Sequence, residues 1–264
     1  MATSNKDLSF EEIIDSKSQE DFRIKTHAEG PKGKIPFTED ILINEPSGNH
    51  FGLTQNAGMG WNPSELLRKQ FLILSTSGGL KDKDGEPVAL GFHTGHWELS
   101  SLVEKTANVI NSMGGLPFSA YCSDPCDGRS MGTSGMFDSL PYRNDAAKVF
   151  RRIARSLPTA KAIVGIASCD KGLPAMMMAL AGMKKVPSII VPGGSTLAPF
   201  NGEDAGKIQS IGARFSQGEI SLEYAQDMGC KACASPGGGC QFLGTAGTSQ
   251  VIAESLGFSL THSA

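Results

Sequence analysis

The sequence predicts an α/β protein built on a mostly parallel sheet flanked by helices on both faces. Short apolar runs recur between longer amphipathic stretches, and helix-start and helix-stop residues fall between them. Most of the runs are apolar at successive positions, the pattern of strands buried on both faces.

Residues 1–50 mix charge, proline and glycine without sustained periodicity and are expected to form an extended amino-terminal arm, with residues 51–264 forming one domain. Strands are predicted at Phe71 to Leu74, Val88 to Phe92, Leu116 to Tyr121, Ala162 to Ala167 and Ser188 to Val191. The first helix carries the stripe Leu99, Leu102, Val103, Val109, Ile110 and Met113. The second carries Ala146, Val149, Phe150, Ile153 and Leu157, with Asn144 and Asp145 as candidate caps and Pro158 past its end. A third runs from Pro174 to Met183, its proline in the first turn, where a missing N–H costs nothing. A last helix covers Thr248 to Leu256 and is closed by Gly257.

Size and charge narrow the function. At 264 residues with a formal net charge of -3, the chain buries a substantial core and offers no basic surface for nucleic acid or an anionic membrane. The amino terminus is polar and acidic, unlike a signal peptide, and no apolar run is long enough to span a bilayer. A cytoplasmic protein is expected, its partners a small-molecule substrate and copies of itself in a homo-oligomer. In a reducing compartment the six cysteines point to metal ligation or burial rather than to disulfides.

Parallel sheets of this kind bind ligands beyond the carboxyl ends of their strands, and the chemistry-bearing residues fall there. Cys169, Asp170 and Lys171 follow one predicted strand; a thiolate and a carboxylate on one tight turn can face two neighbouring ions, thiolate suiting iron or zinc and carboxylate suiting magnesium. The plain alternative is a buried cysteine beside a helix-capping Asp, with Lys171 in solvent. Asp127, in a glycine-flanked loop after another strand, is a second oxygen donor or simply a turn residue. Cys122 and Cys126 beside it read as packing thiols.

Gly237 to Gly239 would let backbone approach a bulky ligand at Cys240, or make a surface loop. Cys230 and Cys233 form a CxxC without the further ligands that a structural zinc requires. His93 and His96 share a site only if their segment is helical, and His96 reads more simply as a core or capping residue. Dinucleotide, P-loop and serine-hydrolase motifs are absent from the sequence.

Together, CDGRSMGTSGMFDSLPYRND, SCDKGLPAMMMAL, VPGGST and CQFLGTAGT resemble the dehydratase family that includes dihydroxyacid, 6-phosphogluconate and sugar-acid dehydratases. The likeness runs from about Phe51 to the last residue. Segments KTHAEGP at Lys25 to Pro31, NAGMGW at Asn56 to Trp61 and CKACASPGGGCQFLGTAGTSQ are most similar to the bacterial xylonate dehydratase branch.

That resemblance implies a hydro-lyase converting a sugar acid such as D-xylonate to a 2-keto-3-deoxy acid, with an iron–sulfur cluster (2Fe-2S or 4Fe-4S) and Mg2+. Residues 51–264 would be the cluster- and Mg-binding domain, and the family's carboxyl-terminal domain, which supplies a serine base, lies outside this chain. The cluster ligands match Cys169 and Cys240. The first ligand, usually a cysteine, matches His93, with Cys122, Cys126 or Cys233 as alternatives. The magnesium ligands match Asp127 and Asp170; Lys171 matches a catalytic-site lysine that becomes a third oxygen ligand when carbamylated. Alternatives are a dihydroxyacid or 6-phosphogluconate substrate, or a non-catalytic metal-binding fragment. Alone, the 264-residue chain is expected to be inactive.

Overall fold

The computed structural model describes residues 27–233, 240 and 246–264. The expected glycine run Gly237 to Gly239, and Lys25 and Thr26 of the KTHAEGP segment, lie outside the described residues. The chain divides into two compact units between Leu66 and Leu67.

In the first unit, helix α1 (Glu39–Asn44) begins at Thr38, whose hydroxyl accepts the Ile41 N–H at 3.2 Å. Helix α2 (Ser47–Gly58) follows, and His50 Nε2 lies 2.7 Å from the Ile41 carbonyl, tying the two helices together. Leu53, Ala57 and Leu66 form a small core joined by Ile35 and Trp61.

The second unit holds the sheet. Its strands are β1 (Gln70–Ser75), β4 (Leu116–Tyr121), β5 (Ala160–Ala167) and β6 (Ser188–Pro192), all parallel, in the order β4-β1-β5-β6. Two further short strands, β2 (Leu80–Lys81) and β3 (Pro87–Ala89), form a separate antiparallel hairpin. Its turn is held by Asp82, whose carboxylate accepts the N–H groups of Asp84 and Glu86 at 2.9 Å each.

The crossovers explain why both faces are covered. From β1 the chain passes through α3 (Gly95–Ser112) to β4 on one side, then through α5 (Met136–Ser156) back across to β5 on the other. Right-handed crossovers in opposite directions put their helices on opposite faces. The side chains alternate accordingly. Leu72, Leu74, Ile163, Ala167 and Ile190 pack with Phe150 of α5 and with Leu173 and Met176 of α6 (Gly172–Ala181). Ile73 and Ile166 pack with Leu99 and Val103 of α3. Gly165 lets α6 lie close, since a Cβ there would stand 2.6 Å from Met176 Cγ.

The remaining helices are α4 (Asp127–Ser130), α7 (Ala205–Ile208), α8 (Ile211–Ser216), α9 (Leu222–Lys231) and α10 (Thr248–Ser255). Helix α10 ends as expected at Gly257, with φ at +74°. The Phe258 N–H reaches the Ala253 carbonyl at 2.8 Å and the Gly257 N–H that of Glu254 at 2.9 Å, a paired C-terminal cap. Among the described residues, no helix is long and apolar enough to cross a membrane.

Two expectations change. The run Val88 to Phe92 is no sheet strand: only Pro87–Ala89 pairs, in the exposed hairpin, and Val88, Leu90 and Phe92 are exposed. Local apolar character cannot distinguish a core strand from an exposed one. The second helix begins at Met136, so Asn144 and Asp145 lie inside it rather than capping it. Pro141 stands within its second turn and forfeits one intrahelical bond, a local cost outweighed by burial of Ala146, Phe150 and Ala154 farther along.

Candidate functional site

Strand order β4-β1-β5 reverses direction at β1, which puts the switch point, where sheets of this kind place their ligands, beyond the carboxyl ends of β1 and β5. The turns that follow these strands begin at Thr76 and Ser168, both fully buried. Their hydroxyls, and Asp124 Oδ2, are buried without a hydrogen-bond partner among the described residues. Thr76 Oγ1 and Asp124 Oδ2 both border Gly172, and two unsatisfied oxygens beside one residue depart from the rule for interiors.

Cys169 is the strained point of the turn. Its φ is +68°, in the left-handed region that costs a side-chain-bearing residue about 1–2 kcal/mol. This conformation swings the chain from the end of β5 into α6 and leaves the thiol buried, donating to Asp170 Oδ1 at 3.2 Å. Burial and the nearby Asp124 and Asp170 charges push the thiol far up from its ordinary value, so without a metal it keeps its proton.

Asp170 faces both ways. Its Oδ2 accepts from Lys171 Nζ at 2.8 Å, and the same ammonium reaches Asp127 Oδ2 at 2.5 Å. Asp127 opens α4, just beyond β4, and also accepts from Ser139 of α5. Burial opposes the charge of Asp127, but hydrogen bonds involving Asp170, Lys171 and Ser139, with the Lys171 charge, prevail and hold it down at about 2. Asp170 is raised, chiefly by burial and by its neighbour Asp127, with Lys171 opposing. Lys171 is raised too: burial works against its charge, and the two carboxylates overcome that. The pair therefore ionises first at Asp127.

A second constellation adjoins this one. A ring nitrogen of His93, a carboxylate oxygen of Asp124 and Cys169 Sγ lie within 4.8 Å of one another. His93 precedes α3, and the backbone before it is held by Arg129 Nε, which donates to the Phe92 carbonyl at 2.6 Å. His96 is fully buried: its Nδ1 accepts the Phe92 N–H at 3.1 Å, and its Nε2 lies 2.6 Å from Asp124 Oδ1.

The turn after β5 thus brings together Asp127, Asp170, Lys171, Cys169 and His93. Cys240 is half-buried and sits between two segments outside the described residues. Cys122 packs against the core and lies 3.4 Å from the Tyr142 hydroxyl, while Cys230 and Cys233 are exposed. Asp124 is the residue that sequence reading passed over. SDPCDG places two Asp residues after a predicted strand, and only Asp127 carries the following glycine that marks a turn.

The donor chemistry sorts into two kinds. The Lys171 ammonium is a positive charge between converging carboxylates, the place and charge that a hard cation such as magnesium requires. Nitrogen, oxygen and sulfur around Cys169 suit a borderline or soft metal such as iron. Donors of both kinds therefore stand side by side at this turn.

Against known families, residues 88–264 match the dihydroxy-acid/6-phosphogluconate dehydratase N-terminal model. The chain is 60% identical over 257 residues to D-xylonate dehydratase YagF of Escherichia coli K12, covering 97% of this chain and 39% of that protein. It is 59% identical over 257 residues, with the same coverage, to D-xylonate dehydratase YjhG of the same organism. To the dihydroxy-acid dehydratase of Methanosphaera stadtmanae it is 34% identical over 194 residues, covering 69% of this chain and 34% of that protein. The chain therefore spans about two-fifths of the length of its E. coli relatives.

Proposed function

Because the chain belongs to the dihydroxy-acid/6-phosphogluconate dehydratase N-terminal family, we propose that it supplies the metal-site domain of a hydro-lyase that dehydrates D-xylonate to its 2-keto-3-deoxy acid. The observation that carries this reading is the two-sided contact of Asp170, whose Oδ1 meets the Cys169 thiol and whose Oδ2 meets Lys171. Soft and hard donors thereby share one turn at the mouth of the sheet. D-xylonate is favoured over a branched dihydroxyacid by the relatives of about 60% identity, which bear that name.

In this reading His93, Cys169 and Cys240 hold an iron–sulfur cluster, and Asp127, Asp170 and a carbamylated Lys171 hold Mg2+. When bound, the two groups supply Lewis acidity at the C3 hydroxyl that leaves and at the carboxylate and C2 hydroxyl that remain. The reaction removes the C2 proton and the C3 hydroxyl as water, and the enol left behind tautomerises to the ketone. Asp127, kept ionised by its hydrogen bonds and the Lys171 charge, provides constant negative charge to the hard-cation side. Asp170 couples the two sides, and burial of Cys169 shields its sulfur from solvent.

Lys171 is an ammonium in the metal-free protein and cannot ligate a cation in that form. Cation entry between Asp127 and Asp170 must displace that charge, which links loading to carbamylation. Anaerobically purified protein is expected to be brown, with iron and acid-labile sulfide, and to bind D-xylonate only after Mg2+ and bicarbonate are supplied. Colourless protein without iron after anaerobic reconstitution would overturn the proposal. Assayed alone, the 264-residue chain is expected to show little or no turnover.

A further inference from the structure

Asp124 has no place in the assignment above, yet it is the most completely buried carboxylate of the site, with no exposed side-chain surface. Its two oxygens differ. Oδ1 is engaged by His96 Nε2 at 2.6 Å and lies 3.3 Å from His93 Nε2. His96 Nδ1 accepts a backbone N–H, so its proton sits on Nε2 and points at Asp124. Oδ2 is buried with no partner among the described residues. An ionised oxygen in that condition is costly unless a cation meets it.

The space around Oδ2 is kept clear by Gly172: a Cβ there would lie 2.9 Å from Oδ2 and equally close to Thr76 Cγ2. Oxygen, nitrogen and sulfur from Asp124, His93 and Cys169 already stand within 4.8 Å of one another on three separate segments. We propose that Asp124 is an inner-sphere ligand of the metal bound by His93 and Cys169, and that His96 is the residue that positions it. This rests on the reading that His93 and Cys169 are metal ligands, and adds an oxygen to their set.

Charge supports the arrangement. A carboxylate and a thiolate together carry two negative charges, which the iron they meet offsets in a buried pocket; the Cys169 proton leaves to solvent as the metal enters. With the His93 imidazole, these mixed nitrogen, oxygen and sulfur donors favour the class of iron, cobalt and zinc over magnesium. A carboxylate held by a buried histidine is the outer-shell support that metal ligands commonly have.

The test uses Co2+ as the probe, titrated anaerobically into the full chain carrying C230S and C233S, which removes the exposed thiols. The expected result is a thiolate-to-cobalt charge-transfer band saturating at one equivalent, lost in C169S. D124N should weaken Co2+ binding at least roughly tenfold. D124C should keep the site and add a second thiolate contribution to the band. H96Q should keep the band but shift the ligand-field envelope, which a residue important only for folding would not do; circular dichroism checks folding of each variant. Unchanged affinity in D124N, or an unchanged band in D124C, would overturn the proposal. If D124N also retains iron and sulfide while C169S loses them, the function proposed above survives and only the Asp124 ligand fails. A parent chain that takes up neither Co2+ nor iron sinks both.

Discussion

The Lys171 ammonium lies 2.5 Å from Asp127 Oδ2, closing an ion pair between residues 44 positions apart in the chain. One partner ends the turn after β5, the other starts α4 after β4, and β1 lies between those strands. The pair therefore reports whether the site has assembled, and its electrostatics can be read in the metal-free protein.

Asp127 gives a pH signature. Its carboxyl is held at about 2 against an ordinary 3.8, so its contribution is fully present above pH 3.8 and is lost as pH falls toward 2. D127N should melt below the parent at neutral pH, and the difference in Tm should narrow between pH 4 and pH 2. A gap that is constant or widens over that interval contradicts the assignment.

Cys169 separates strain from chemistry. C169A loses the sulfur and keeps the left-handed strain, whereas C169G loses both, so metal-free C169G should be more stable than C169A by about 1 kcal/mol in urea unfolding. Equal or reversed stabilities would show that the left-handed turn is not sustained in solution. Neither variant should retain iron.

Two glycines should fail differently. G165A pushes a Cβ against buried Met176 and Leu180, and is expected to cost about 1–3 kcal/mol while sparing metal uptake. G172A sets a Cβ 2.9 Å from both Asp124 Oδ2 and Thr76 Cγ2, and should abolish metal uptake as well as lower stability. Iron analysis beside thermal melts distinguishes them; normal iron in G172A would contradict the geometry around Asp124.

His96 and Asp124 should be energetically coupled. A double-mutant cycle with H96A and D124N in metal-free protein should give an interaction energy of about 1.5–3 kcal/mol, the range for a buried hydrogen bond to a charged group. Additive effects would mean that the short contact contributes nothing of its own.

Much of this was legible in the residues. Four of the five expected strands stand in one parallel sheet, because runs such as Ala162 to Ala167 carry enough apolar surface to be buried on both faces whatever their neighbours. Helices ending in a glycine or beginning near a proline, such as α10 and α6, followed from local backbone preferences. The Cys169-Asp170-Lys171 turn was legible as well, since three donors in succession after a strand need no partner to be noticed.

What no local pattern contains is decided by pairing across the sheet. The exposure of Val88 to Phe92 depends on what covers them, and the first turns of α5 depend on burial gained farther along the helix. Asp124 looks like an ordinary turn residue in SDPCDG; only the placement of β4 beside β1, and of α3 against their common face, sets its carboxylate against His96, His93 and Cys169. Strand and helix follow from the periodicity of neighbouring residues, whereas a site built from three distant segments follows from strand order, and strand order is an energy of the whole chain.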